Sequence, residues 1–82
     1  MWLREGLSHK TRSMLNVCML AALARWHEFE VHVRGALNNG VTRDQIREVL
    51  MQAAFYCGGP AALESFRLAA EVFAQLEAEA SE

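Results

Sequence analysis

Apolar residues recur along this chain at helical spacing almost without interruption, and the breaks between the runs are chemically distinct. From about Thr11 to Ala24, Met14, Leu15, Val17, Cys18, Leu20, Ala21 and Ala22 leave a segment apolar nearly all round. Such a helix belongs inside an assembly rather than on a free surface. Ser8 is placed to cap its start. A second helix is predicted from Arg25 or Trp26 to Asn38 or Asn39, with Trp26, Phe29, Val33, Ala36 and Leu37 as its core stripe. Asn39 and Gly40 tolerate the left-handed conformation that ends helices.

Thr42-Arg43-Asp44-Gln45 then reads as a capping box ahead of Ile46, Val49, Leu50, Ala53, Ala54 and Cys57. This third helix must stop near Tyr56, because Gly58-Gly59-Pro60 follows. Pro60 suits the first turn of a fourth helix, whose predicted stripe is Leu63, Phe66, Ala69, Ala70, Phe73 and Leu76. The acidic tail from Glu77 to Glu82 is expected to fray. No strand, repeat or linker is apparent. The prediction is an all-α array of about four helices.

Composition sharpens this. Eighty-two residues make one small domain, and a chain of that size buries only about 60% of its unfolded surface. Yet 52% of the residues are apolar, so part of that surface is expected in a subunit interface, with a dimer as the minimum. The net charge of -2 offers no basic excess for a phosphate backbone, which argues against nucleic acid. No apolar run reaches the roughly 18 residues that span a bilayer, and no leader pattern is present, so a cytoplasmic protein is expected. Cys18 and Cys57 stand far apart, outside any CxxC, and read as buried small hydrophobes in a reducing compartment.

Candidate chemistry concentrates on the second helix. At about 100° per residue, Arg25, Glu28, His32, Gly35 and Asn39 form one polar line beside the core stripe. Glu28 and His32 are an i,i+4 carboxylate and imidazole, the simplest acid/base unit a helix displays; the same spacing also suits an ordinary surface pair. His27-Glu28-Phe29-Glu30-Val31-His32 is one residue too long for the zinc-protease motif, so its imidazoles diverge by about 140° and no metal site is expected. Gly58-Gly59-Pro60 lacks the lysine and preceding strand of a phosphate loop and reads as a turn. Arg4, His9, Lys10 and Arg12 give the N-terminal region a basic tint, with arginine suited to holding a carboxylate.

The strings GLSHKTRSMLN, H-x-R-x-A-L-N-N-G-V-T and Y-C-G-x-P-A-A resemble the carboxymuconolactone decarboxylase family, within the wider alkylhydroperoxidase-like superfamily. The resemblance covers nearly all of residues 1–82. It implies an all-α fold assembling as dimers and often hexamers, cofactor-independent decarboxylation of a carboxylated muconolactone to an enol-lactone in protocatechuate catabolism, and a carboxylated lactone as the small-molecule partner. Family members usually carry further N-terminal helical sequence, whereas this chain begins at the equivalent of their Trp-x-x-x-x-Gly-Leu segment, and Gly59 stands where a small branched apolar residue is expected. The peroxide-reducing relatives carry a CxxC one turn before the histidine; Arg25 and Glu28 occupy those positions here, which weighs against disulfide exchange. Within the implied reaction His32 is the expected proton donor and Glu28 the residue that orients it and favours its charged form. Arg25 or Arg12 is the expected holder of a substrate carboxylate, with any role for Arg34 at a neighbouring subunit. The competing readings are a non-catalytic oligomeric helical domain and a thiol oxidoreductase working through Cys57 and His32.

Overall fold

The computed structural model describes residues 3–81 and contains four helices: α1 (His9–Ala22), α2 (Trp26–Asn38), α3 (Arg43–Cys57) and α4 (Gly59–Ser81). No strand occurs among the described residues. The expected all-helical array is therefore the fold. Met1, Trp2 of the Trp-x-x-x-x-Gly-Leu segment, and Glu82 of the tail lie outside the described residues.

Each boundary has a local cause. Ser8 Oγ accepts the Thr11 amide at 3.1 Å and opens α1. Thr42 Oγ1 accepts the Gln45 amide while Gln45 Oε1 accepts the Thr42 amide, both at 3.0 Å, completing the capping box of α3. At the end of α2 the Val41 amide donates to Ala36 O and the Gly40 amide to Leu37 O. Gly40, at φ 90°, is the left-handed residue of this Schellman motif. Val41 turns back into the core against Ala36.

The end of α1 departs from expectation. It stops at Ala22, two residues before the predicted Ala24, because the same motif operates there: the Arg25 amide donates to Leu20 O and the Ala24 amide to Ala21 O. The left-handed position, φ 56°, is held by Ala24, which carries a Cβ that glycine would lack.

α1 and α2 form an antiparallel hairpin. α1 also packs on α3, α4 packs on α2 and α3, and α1 and α4 meet across the diagonal. Val17, Phe29, Val33, Ile46, Leu50 and Val72 fill the centre, with Phe29 edge-on to Trp26 at 5.8 Å. On α4 the predicted stripe is corrected. Leu63 is 75% exposed and Ala70 is also exposed, whereas Ala62, Ser65, Leu68 and Val72 are buried alongside Ala69 and Phe73. Ser65 can sit there because its hydroxyl donates to Ala62 O at 2.7 Å within the helix.

Two further expectations are corrected. The tail does not fray at Glu77 but stays helical through Ser81, since Arg43 pairs with Glu77, and Arg34 lies 3.5 Å from Glu79 and donates to Gln75 at 2.6 Å. Cys18 is half-buried, but Cys57 is exposed. Ala53 is the last buried residue of α3, and the turn after it, carrying Phe55, Tyr56 and Cys57, stands clear of the helices around it.

Candidate active site

Phe29 and Val33 point α2 into the core. On one side of that stripe Arg34 reaches α4 through Gln75 and Glu79. The polar line Arg25, Glu28, His32, Gly35 and Asn39 lies on the other side, toward α1, where Asn39 Nδ2 donates to Ser13 Oγ at 2.9 Å. The line is thus the rim of the α1–α2 hairpin, and the Asn39–Ser13 bond fixes the register of the two helices.

That register places the predicted residues. Arg25, the N-cap of α2, brings Nε to 3.7 Å from Glu28 Oε2, with both side chains mostly exposed. His32 is half-buried one turn further on, and no ion pair joins it to Glu28. Asn39 stands level with Ser13, so His32 sits roughly 10 Å back toward the α1–α2 turn, near Leu20. Arg12 is on the same hairpin but at its opposite end. Its guanidinium donates to Leu7 O at 3.2 Å and Arg4 O at 3.3 Å, holding the segment before α1. Arg25 and Glu28 are therefore brought together, His32 adjoins them, and Arg12 does not reach them within one chain. His27 is exposed on the helix surface.

Asn16 is not among the residues that the sequence pattern singles out. It is the one polar residue between Met14 and Ala24, which was the available signal. In the hairpin register Asn16 falls opposite the stretch Gly35–Ala36. Its side chain is half-buried and makes no hydrogen bond among the described residues.

An apolar concavity lies between α1 and α3. It is an apolar groove of about 230 Å³ lined by Thr11, Met14, Leu15, Cys18, Val49 and Gln52. Burial pushes the Cys18 thiol above its ordinary range, and the nearby Cys57 adds to that shift. Beside the groove Phe55 is 88% and Tyr56 79% exposed. The helical line and the groove share no residue: the acid/base candidates lie on α2 at its rim with α1, and the apolar groove lies between α1 and α3.

Residues 1–71 match the model of the carboxymuconolactone decarboxylase family, and the chain belongs to that family. Three relatives frame it. It is 40% identical over 75 residues to a 4-carboxymuconolactone decarboxylase of Acinetobacter baylyi, covering 92% of this chain and 56% of that protein. It is 45% identical over 64 residues to a nitrosuccinic acid decarboxylase of Metarhizium robertsii, covering 78% of this chain and 45% of that protein. It is 34% identical over 79 residues to an uncharacterised 15.0 kDa protein of Paracoccus denitrificans, covering 93% of this chain and 58% of that protein. The chain thus spans about half the length of these relatives. No described helix is long and apolar enough to cross a membrane.

Proposed function

We propose that this chain catalyses cofactor-independent decarboxylation of a carboxylated lactone, converting a carboxymuconolactone to an enol-lactone in aromatic catabolism. The observation that carries the reading is the Arg25–Glu28–His32 line on the rim of the α1–α2 hairpin, in a chain whose named relatives are decarboxylases. The two acids those relatives are named for share a useful property. Each carries an acceptor, a nitro group or a lactone carbonyl, that can take up the electron pair left when carbon dioxide departs.

The proposed steps balance. The carbon–carboxylate bond breaks, carbon dioxide leaves, and its electron pair passes through the conjugated ring onto the lactone carbonyl oxygen. A proton from His32 then returns to carbon, and solvent reprotonates the imidazole. Arg25 holds a substrate carboxylate, a charge-assisted contact suited to a guanidinium. Glu28 keeps Arg25 over the first turn of α2 and places a negative charge one turn from His32. Arg12, at the other end of the hairpin, serves a bound carboxylate only if a second subunit brings it to the site.

Assembly as a homo-oligomer is part of the proposal. Leu15 and Met19 on α1 and Met51, Phe55 and Tyr56 on α3 remain exposed on the single chain, and exposed apolar patches mark interaction surfaces. A second copy is the proposed cover. The test of the function is turnover of purified protein with 4-carboxymuconolactone, following enol-lactone and carbon dioxide. Absence of both products from a folded protein sinks it.

A further inference from the structure

Gly35 is the only glycine in the interior of a helix here. A glycine there destabilises a helix relative to alanine, so a retained one calls for a reason. Backbone conformation supplies none, since only Gly40 and Gly58 among the glycines have positive φ. Packing within the chain supplies none either, because a Cβ built at Gly35 meets nothing within 4 Å. Helical side chains lean toward the N-terminus, so the missing side chain would have covered the preceding turn, which carries His32. Its absence leaves open space over the helix backbone one turn after His32, an open-sided slot on the rim of the hairpin. The Asn39–Ser13 bond closes one end of that slot, and the Arg25–Glu28 pair bounds the other. In the hairpin register Asn16 falls opposite, half-buried, with its amide open to solvent and making no hydrogen bond among the described residues.

From this juxtaposition we infer that the slot between Asn16 and Gly35 receives the substrate's flat lactone ring, with the Asn16 amide donating to the carbonyl oxygen that takes up negative charge. The inference rests on the decarboxylation proposed above and supplies what that scheme lacks, a donor for the developing oxyanion. Gly35 lets the ring lie on the helix backbone within reach of His32. Asn16 contributes in the transition state, where a preorganised donor matters most. An occupant bearing carboxylates fits the Arg25 end, and an uncharged ring face fits the bare backbone at Gly35.

The test is a set of variants in the full chain: Gly35→Ala, Gly35→Leu and Asn16→Leu. Alanine and leucine are better helix formers than the residues replaced, so each variant should keep or raise Tm, by up to roughly 6 °C. Decarboxylation should move the opposite way. Asn16→Leu should lower kcat about 10²-fold or more with little change in KM, Gly35→Ala should lower kcat/KM about tenfold, and Gly35→Leu should abolish turnover. Parental kcat/KM in Gly35→Leu, a fall in Tm, or a changed sedimentation coefficient would each overturn the slot, the last by making the space a subunit contact. Binding is read separately from turnover by adding 4-carboxymuconolactone to a His32→Ala protein and following the Gly35 backbone and Asn16 side-chain amide resonances. If the parent protein yields no product while those two signals shift, the decarboxylase reading fails and the slot stands. If the signals stay fixed, the slot fails whatever the turnover.

Discussion

Glu28 Oε2 lies 3.7 Å from Arg25 Nε, and neither of these charges pairs with His32 one turn further along α2. The acid/base line is thus a guanidinium–carboxylate pair followed by a half-buried imidazole, rather than a closed carboxylate–imidazole dyad. That arrangement leaves Arg25 partly exposed at the hairpin rim, where a substrate carboxylate can compete with Glu28 for it.

Replacing Arg25 by Ala should therefore weaken substrate binding more than it slows chemistry. Loss of a charge-assisted hydrogen bond corresponds to about a 10- to 100-fold rise in KM. The exposed Arg25–Glu28 pair contributes under about 1 kcal/mol to folding, so Tm should hardly move. Steady-state kinetics beside a thermal melt separates the two effects.

His32→Ala should act on kcat instead. A lost general acid typically reduces turnover about 10²- to 10⁴-fold. A His32→Ala protein that folds, assembles and decarboxylates at the parental rate would return this helix face to ordinary surface.

Ala24 occupies the left-handed position that Gly40 fills at the end of α2. Ala24→Gly removes a Cβ from an unfavourable conformation and should stabilise the fold by about 0.5–1 kcal/mol after allowing for the freer unfolded chain. Denaturant melts should show a higher midpoint with an unchanged slope.

The two cysteines should react at different rates. Cys57 is exposed, whereas Cys18 is half-buried with its thiol pushed up first by burial and then by Cys57. Because the thiolate is the nucleophile, iodoacetamide at mildly alkaline pH should label Cys57 well before Cys18, as peptide mass spectrometry would reveal. The raised Cys18 also has a stability sign. The folded state holds its proton longer than the unfolded chain, so this contribution is fully present below the ordinary thiol range and is lost as pH rises from there through the raised value of the folded state. Cys18→Ala should show a smaller loss of stability in alkali.

Phe55→Glu should shift any oligomer toward monomer without unfolding the chain, since Phe55 is almost wholly exposed in the single protomer. Light scattering at micromolar concentration measures it. An oligomer of unaltered size would place the subunit contact elsewhere.

Most of the helix boundaries were legible because their signals are local. Ser8, the Thr42/Gln45 box and Asn39-Gly40 act through hydrogen bonds spanning a few residues. The end of α1 was not, because alanine carries no signature of a left-handed position. The buried face of α4 was misread for a different reason. Two apolar lines run along it, through Leu63, Phe66 and Ala70 and through Ala62, Ser65 and Val72. The second line includes a serine, which is buried because its hydroxyl is satisfied within its own helix. Periodicity alone cannot choose between such lines; contacts with α2 and α3 do. On α2 the polar line could be read off the wheel, but which neighbour it faced could not. That depended on Arg34 reaching α4 and Asn39 reaching α1.

The far end of α4 carries one more implication. After Phe73 no side chain of that helix is fully buried, and its last turns are held to α2 and α3 through Arg34 and Arg43. Its amides should therefore exchange with deuterium at a rate that rises as added sodium chloride shortens the Debye length, while those facing Phe29 stay protected. Ionic strength would then loosen the terminal turns selectively, and through Arg34 the disturbance would arrive at the residue next to Gly35.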